Sequence, residues 1–146
     1  MNPEVGSIMA YFYNLFPVKV YTKEVPVNFE TPCMYFPTPF SFDGNDTTST
    51  FIKTYNLSVK LFHKDSQQAG FEAEKIADKV RSNRNVIPIV DDKSAETGDF
   101  IRFTKLETRE ADKGVFNIVL DWDSRYYYDK PDWNAATYFE FKSGVK

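Results

Sequence analysis

Positions 115–122 read VFNIVLDW, the clearest alternation of side chains in the chain. One side of this segment carries Phe116, Ile118, Leu120 and Trp122. Because successive side chains of a β-strand point to opposite faces, the pattern predicts a strand with one face in a core.

Further strands are predicted on both sides of this segment. Phe100–Leu106 precedes it across a turn at 111–114. Thr47–His63 is rich in β-branched and aromatic residues, which favours a long strand. We predict that it forms a hairpin with the strand before it in the chain, across a turn at Asp43–Asp46. The polar stretch Asp91–Asp99 is predicted as a loop. Shorter strands are predicted at Val18–Val25, Cys33–Phe36 and Val86–Val90.

Two helices are predicted, each with one apolar stripe. Asn2 and Pro3 suit the cap and first position of a helix that Pro17 ends. Asp65 or Ser66 suits the cap of the second helix. Apolar positions recur at intervals of three and four residues; they are Val5, Ile8, Met9, Phe12, Leu15 and Phe16 in the first helix, and Ala69, Ala73, Ile76, Ala77 and Val80 in the second.

This order of elements predicts an α+β fold, a mainly antiparallel sheet packed by two helices on one face. Residues 1–128 are predicted as a single domain and residues 129–146 as an extended aromatic C-terminal arm. Aromatic rings are costly to leave in water, so we expect the arm to dock, preferably on a neighbouring copy rather than on its own domain. The predicted subunit-interface residues are Tyr126, Tyr127, Tyr128, Trp133, Tyr138, Phe139 and Phe141.

The composition and charge of the chain argue against several classes of function. The chain has 146 residues, a net charge of −3 and 17% aromatic residues. No basic stripe is visible, which argues against a surface that wraps nucleic acid. The single cysteine, Cys33, cannot form an internal disulfide, so a reducing compartment is expected. No signal peptide or membrane-spanning stretch is predicted, and we expect the protein to be made in the cytoplasm.

The sequence predicts no catalytic residue, no cofactor and no metal site. His63 lies at a strand end without a nucleophile motif, and Cys33 is interpreted as a small buried hydrophobic residue. Asp121 and Asp123 share one strand face and are interpreted as solvated charges. The cluster Asp43–Asp46 lacks the glutamate that a calcium loop needs at its twelfth position.

The segment Val20–Phe36 reads VYTKEVPVNFETPCMYF and follows a short amphipathic helix. It resembles the pattern Y-x-E-x-V-x-x-x-F-x-x-P-C-F of the tail terminator family of long-tailed bacteriophages of Gram-positive bacteria. Lys23 and Glu24 shift the acidic position by one. The order of elements along nearly the whole chain is similar to that family as well.

The resemblance implies a structural virion protein of the phage neck with no enzymatic activity and no cofactor. Such a protein forms a homo-oligomeric ring, usually of six subunits, that caps the tail tube protein and stops tube growth. The ring then presents a surface to the head-tail connector or head completion protein. DNA would pass through the lumen without specific binding, which suits an acidic chain, and no membrane would be involved.

Two alternatives stay open at the level of sequence. One is a head-tail joining or tail-completion protein at another ring position. The other is a small ligand-binding or enzymatic α+β domain. Deleting Trp133–Lys146 discriminates between them, because only a ring protein should become monomeric or assembly-defective.

Overall fold

The computed structural model describes residues 3–129, which form two helices and one seven-stranded sheet. The strand order is β1-β2-β4-β7-β6-β5, and β3 also pairs with β4. Among residues 3–129, only β1 and β2 pair in parallel; the other pairs are antiparallel. The predicted α+β class is therefore confirmed. The elements are α1 (Pro3–Leu15), β1 (Lys19–Tyr21), β2 (Cys33–Tyr35), β3 (Phe40–Asn45), β4 (Thr50–Phe62), α2 (Ser66–Ser82), β5 (Val86–Val90), β6 (Glu96–Asp112) and β7 (Val115–Tyr127).

The centre of the sheet is the long antiparallel pair β4 and β7. Each strand has 13 residues, and the pairing runs unbroken from Thr50 opposite Tyr127 to Phe62 opposite Val115. Alternate residues of both strands are buried in the core, as the period of two predicted. The residues buried on this face are Tyr55, Leu57, Val59 and Leu61 in β4, and Ile118, Leu120 and Trp122 in β7. Thr50 and Val119 are buried on the opposite face.

Both helices cover the same face of this sheet, here called the inner face. From α1, the ring of Phe12 lies 5.9 Å from that of Phe36, just beyond β2. From α2, small residues such as Ala69 and Ala73 are fully buried against the sheet. The Asp65 carboxylate caps α2 by accepting from the backbone N–H of Gln68 at 2.8 Å, as predicted. The opposite side, called the outer face, is covered by neither helix.

The predicted turn at Asp43–Asp46 was wrong in its position. Residues 43–45 belong to β3, and the hairpin turn follows at 46–49, closed by the N–H of Thr47 donating to the carbonyl of Thr50 at 3.1 Å. The turn-favouring residues Asp, Gly and Asn are held in a strand because β4 offers a complete hydrogen-bonding partner. The hairpin partner of β4 is therefore β3, which was not predicted, while the predicted strand at Cys33–Phe36 pairs antiparallel with the other end of β4.

Other predicted boundaries also need correction. The polar stretch Asp91–Asp99 is a loop only in its first half, since β6 begins at Glu96. Its turn is tied by the Asp91 carboxylate, which accepts from the backbone N–H groups of Lys93 and Ala95 at 2.8 and 2.9 Å. The strand predicted at Val18–Val25 has only three residues, because β1 finds a partner only along the equally short β2.

Gly114 is the tightest position of the β6–β7 turn and should not tolerate a side chain. Its φ is +76°, and a Cβ there would lie 2.9 Å from the carbonyl oxygen of His63. We therefore expect Gly114→Ala to lower the free energy of unfolding by about 1–3 kcal/mol. Gly44→Ala is the matched control because nothing lies within 4 Å of its Cβ position. Urea denaturation of both variants checks this, and equal midpoints would refute it.

Candidate assembly surface

The predicted interface residues begin where β7 ends, and the first of them faces inward. Tyr126 shares the inner face with Trp122, and its hydroxyl lies 2.9 Å from that of Tyr55. Its ring stacks on Phe51 with centroids 5.6 Å apart. Burial, together with the hydrogen bond between the hydroxyls of Tyr126 and Tyr55, raises the pKa of Tyr126 to about 12. Tyr126 therefore packs against its own domain and anchors the base of the arm.

The next two tyrosines are more exposed than Tyr126. Tyr127 lies on the outer face and is 80% exposed. Tyr128 is 46% exposed; its ring lies 5.2 Å from that of Phe51, and its N–H donates to the carbonyl of Ser49 at 2.9 Å. The structure thus places the start of the arm beside the β3–β4 turn. The other predicted interface residues, Trp133, Tyr138, Phe139 and Phe141, lie outside the described residues.

The raised pKa of Tyr126 predicts a loss of stability in alkali. Its neutral phenol is favoured in the folded state, so this contribution is present below about pH 10, the ordinary tyrosine value. It is lost as the pH rises from there towards the folded value of about 12. We expect the free energy of unfolding to fall more steeply over this range in the wild type than in Tyr126→Phe. Urea denaturation of both proteins at pH 9 and pH 11 measures this difference. An equal decrease in the free energy of unfolding for the two proteins would contradict it.

The sequence did not reveal β3 as an exposed edge strand. All six of its residues are exposed, and within residues 3–129 it pairs only with β4. Two of its side chains are large and apolar: Phe40 is 66% exposed and Phe42 is 56% exposed. The alternation Phe40-Ser41-Phe42 does indicate a strand. It is short and lies between a proline-rich segment and a segment of turn-favouring residues, so the sequence alone does not predict a strand there.

The outer face of β4 and β7 carries a row of cross-strand polar contacts. Asp121 accepts from the amide of Asn56 at 2.5 Å, and Asp123 accepts from the hydroxyl of Thr54 at 2.6 Å. These two carboxylates, interpreted from sequence as solvated charges, thus tie the central strands together. Among residues 3–129 there is no group of three or more His, Cys, Asp or Glu side chains that could hold a metal ion.

An ion pair reinforces the same face at the β3–β4 turn. The Asp46 carboxylate lies 2.6 Å from Nε of Arg125 and accepts from the hydroxyl of Thr50 at 2.7 Å. The hydrogen bond from Thr50, together with the charge of Arg125, lowers the pKa of Asp46. These contacts fix the turn next to the residues from which the arm departs.

Cys33 and His63 both pack against the fold of their own domain. Cys33 is fully buried, as predicted, and burial raises the pKa of its thiol to about 11, far from that of a reactive thiolate. The half-buried ring of His63 lies 6.4 Å from that of Phe16 in a stacked arrangement. Neither α1 nor α2 is long and apolar enough to span a membrane.

Two proteins of Bacillus subtilis strain 168 are similar to this chain over its whole length. The uncharacterised protein YqbJ is 52% identical over 146 residues, which covers 100% of both chains. Protein XkdJ of the phage-like element PBSX is 46% identical over 146 residues, again covering 100% of both. No family model matches the chain.

A solved structure gives a weaker match. One chain of the virion of a native gene transfer agent particle matches 85% of this chain and 94% of its own length. Its sequence identity is 14% and its TM-score is 0.48. At that TM-score the match adds nothing on fold or function.

Proposed function

The chain belongs to the family that includes protein XkdJ of the phage-like element PBSX, and on this basis we propose that it is a structural protein of a phage virion. The observation that carries the proposal is the full-length match to XkdJ at 46% identity. Because the match covers 100% of both chains, the domain and the arm are both similar to XkdJ.

The specific role proposed is that of a tail terminator in the phage neck, acting by assembly and not by catalysis. The copies form a ring, taken as hexameric, that caps the tail tube, ends its growth and joins the tail to the head connector or head completion protein. The resemblance of Val20–Phe36 to the tail terminator pattern supports this choice. That segment contributes β2 and much of β1 at one end of the sheet.

A closed ring needs a heterologous contact, in which one surface of each copy meets a different surface of the next. The arm is the proposed donor of that contact, through the rings of Trp133, Tyr138, Phe139 and Phe141. Tyr127 and Tyr128, just before the arm, are proposed to contribute as well. An aromatic side chain buries about 150–250 Å², so four such rings supply about 600–1,000 Å². A standard interface buries about 800 Å² per partner. The arm is therefore large enough to hold two copies together.

Charge supports passage of DNA through such a ring without specific binding. Each copy carries −3, so six copies would carry −18. Like charge disfavours contact between phosphates and the wall of a lumen. The proposed partners are accordingly the tail tube below, the connector above and DNA in transit, with the mature protein located in the virion.

Deleting the gene tests the role and separates it from its nearest alternative. A terminator is expected to leave tails of uncontrolled, excessive length and heads without tails, as seen by electron microscopy of the lysate. A head-tail joining protein would instead leave tails of normal length that fail to attach. Normal, infectious particles in the deletion strain would overturn the proposal, and complementation with the intact gene is the control.

A further inference from the structure

We infer that the free edge of β3 is the docking site for the aromatic arm of a second copy. The inference rests on the proposed ring, because it supplies the receiving half of the heterologous contact. It concerns one edge strand, Phe40–Asn45, and one stretch of the arm, Phe139–Phe141.

The backbone of β3 is prepared to accept another strand. One edge of β3 is hydrogen-bonded to β4 along all six residues, and the other has no partner within residues 3–129. Such an edge presents a row of unpaired N–H and C=O groups, and folded proteins usually protect it with lysine, proline, a bulge or a covering element. Within β3 the one charged residue is Asp43, and proline is absent. An added strand would satisfy these groups.

The side chains of β3 add an apolar platform to that edge. Phe40 and Phe42 lie on the outer face with ring centroids 6.1 Å apart, and both are more than half exposed. Gly44 continues the same face with open space at its Cβ position, beside the half-buried Ile52. A ligand with two rings spaced along a strand would cover this platform.

The arm carries that spacing. Phe139-Glu140-Phe141 repeats the arrangement of Phe40-Ser41-Phe42, with two phenylalanines two residues apart around one polar residue. Cross-strand aromatic pairs stabilise sheets when both rings lie on the same face. Aligning the two pairs places Glu140 opposite Ser41 whether the strands run parallel or antiparallel. The inference therefore specifies a register.

The occupant is assigned to a second copy because of what assembly requires. The arm departs beside Ser49, at the same end of the sheet as the β3–β4 turn. Nine residues, 130–138, separate Asp129 from the Phe139 pair, a reach of about 30 Å when extended. This span is long enough for Phe139 to lie well away from the end of its own β7. If the arm docked on the β3 edge of its own chain, both surfaces would be covered within one copy. No surface would then remain to form the contact that closes a ring.

A mixture of two variants, each with one added cysteine, tests the contact and its register. Ser41→Cys and Glu140→Cys proteins are mixed, allowed to assemble and treated with a short bismaleimide. We expect a covalent dimer at twice 17.0 kDa. Native Cys33 is fully buried with a pKa of about 11, so it should not react. Replacing Ser41→Cys by Ser82→Cys, an exposed position on α2, is the matched control and should give no dimer.

The outcomes separate the inference from the function on which it rests. Wild-type assembly without cross-linking of the mixed variants would overturn the inference and leave the proposed ring intact. A cross-link formed only inside one chain, in the Ser41→Cys/Glu140→Cys double variant, would show the arm on its own β3 and also overturn it. If the wild type stays monomeric under every condition, the ring itself is refuted.

A second pair of variants checks the same contact without cysteines. Phe40→Ser/Phe42→Ser removes the platform but touches only exposed rings, so folding should be preserved. Alone, it should not assemble. Mixed with a chain ending at Asp129, it should form one-to-one dimers and nothing larger, because each copy then offers only one half of the contact. Larger assemblies in that mixture would contradict the inference.

Discussion

Removal of residues 130–146 is expected to abolish self-association while leaving the α+β domain folded. The deleted segment carries Trp133, Tyr138, Phe139 and Phe141, the rings proposed to bury most of the contact area. The domain keeps its last strand, since β7 ends at Tyr127. The hydrogen bond from Tyr128 to Ser49 is also retained. The free energy of unfolding should therefore change by less than about 1 kcal/mol.

Sedimentation equilibrium and urea denaturation measure the two halves of this prediction. The matched control ends the chain after Phe141, which removes residues 142–146 and keeps every ring. That control should assemble like the intact chain. If the long deletion still assembles, the arm is not the donor; if it unfolds the domain, the arm belongs to the chain's own core.

Replacing Trp122 with alanine is expected to cost about 3–5 kcal/mol of stability, a large part of the roughly 5–15 kcal/mol of a typical domain. Trp122 is fully buried at the centre of the sheet. Its ring stacks on Tyr55 of β4 with centroids 5.3 Å apart, and meets Phe103 of β6 edge-on at 6.0 Å. The substitution therefore leaves a cavity that three adjacent strands line.

Two further variants sharpen this prediction. Trp122→Phe should cost less than Trp122→Ala, because it leaves a smaller cavity and removes an indole N–H that is buried without a hydrogen-bond partner in the described part of the chain. Phe100→Ala is the control for loss of an aromatic ring, since Phe100 is 62% exposed. It should change the free energy of unfolding by less than about 0.5 kcal/mol. Equal losses for Trp122→Ala and Phe100→Ala would contradict the assignment of the core.

The core was predictable because its periodicity is local. In β7, Ile118, Leu120 and Trp122 recur at every second position, and one buried face is enough to fix the direction of every side chain. In α2, the Asp65 cap and the alanine stripe are signals contained within one element. Such features do not depend on knowing which strand lies next to which.

The edge strand was not predictable for the opposite reason. Residues 43–45 favour turns, and only the ladder to β4 makes them a strand. Tyr126 shows the same limit within the candidate site. The sequence marks three tyrosines in a row, but only the pairing of Tyr126 with Phe51 and its bond to Tyr55 show that one packs inward. The role of the arm in assembly stays a prediction.

Cryo-electron microscopy of the head-tail junction in intact particles tests the central claim most directly. We predict a closed ring of copies at the head-proximal end of the tail tube, with the β3 edge of each copy covered by the arm of its neighbour. An absence of the domain from that junction, or a ring in which each arm lies on its own domain, would contradict it.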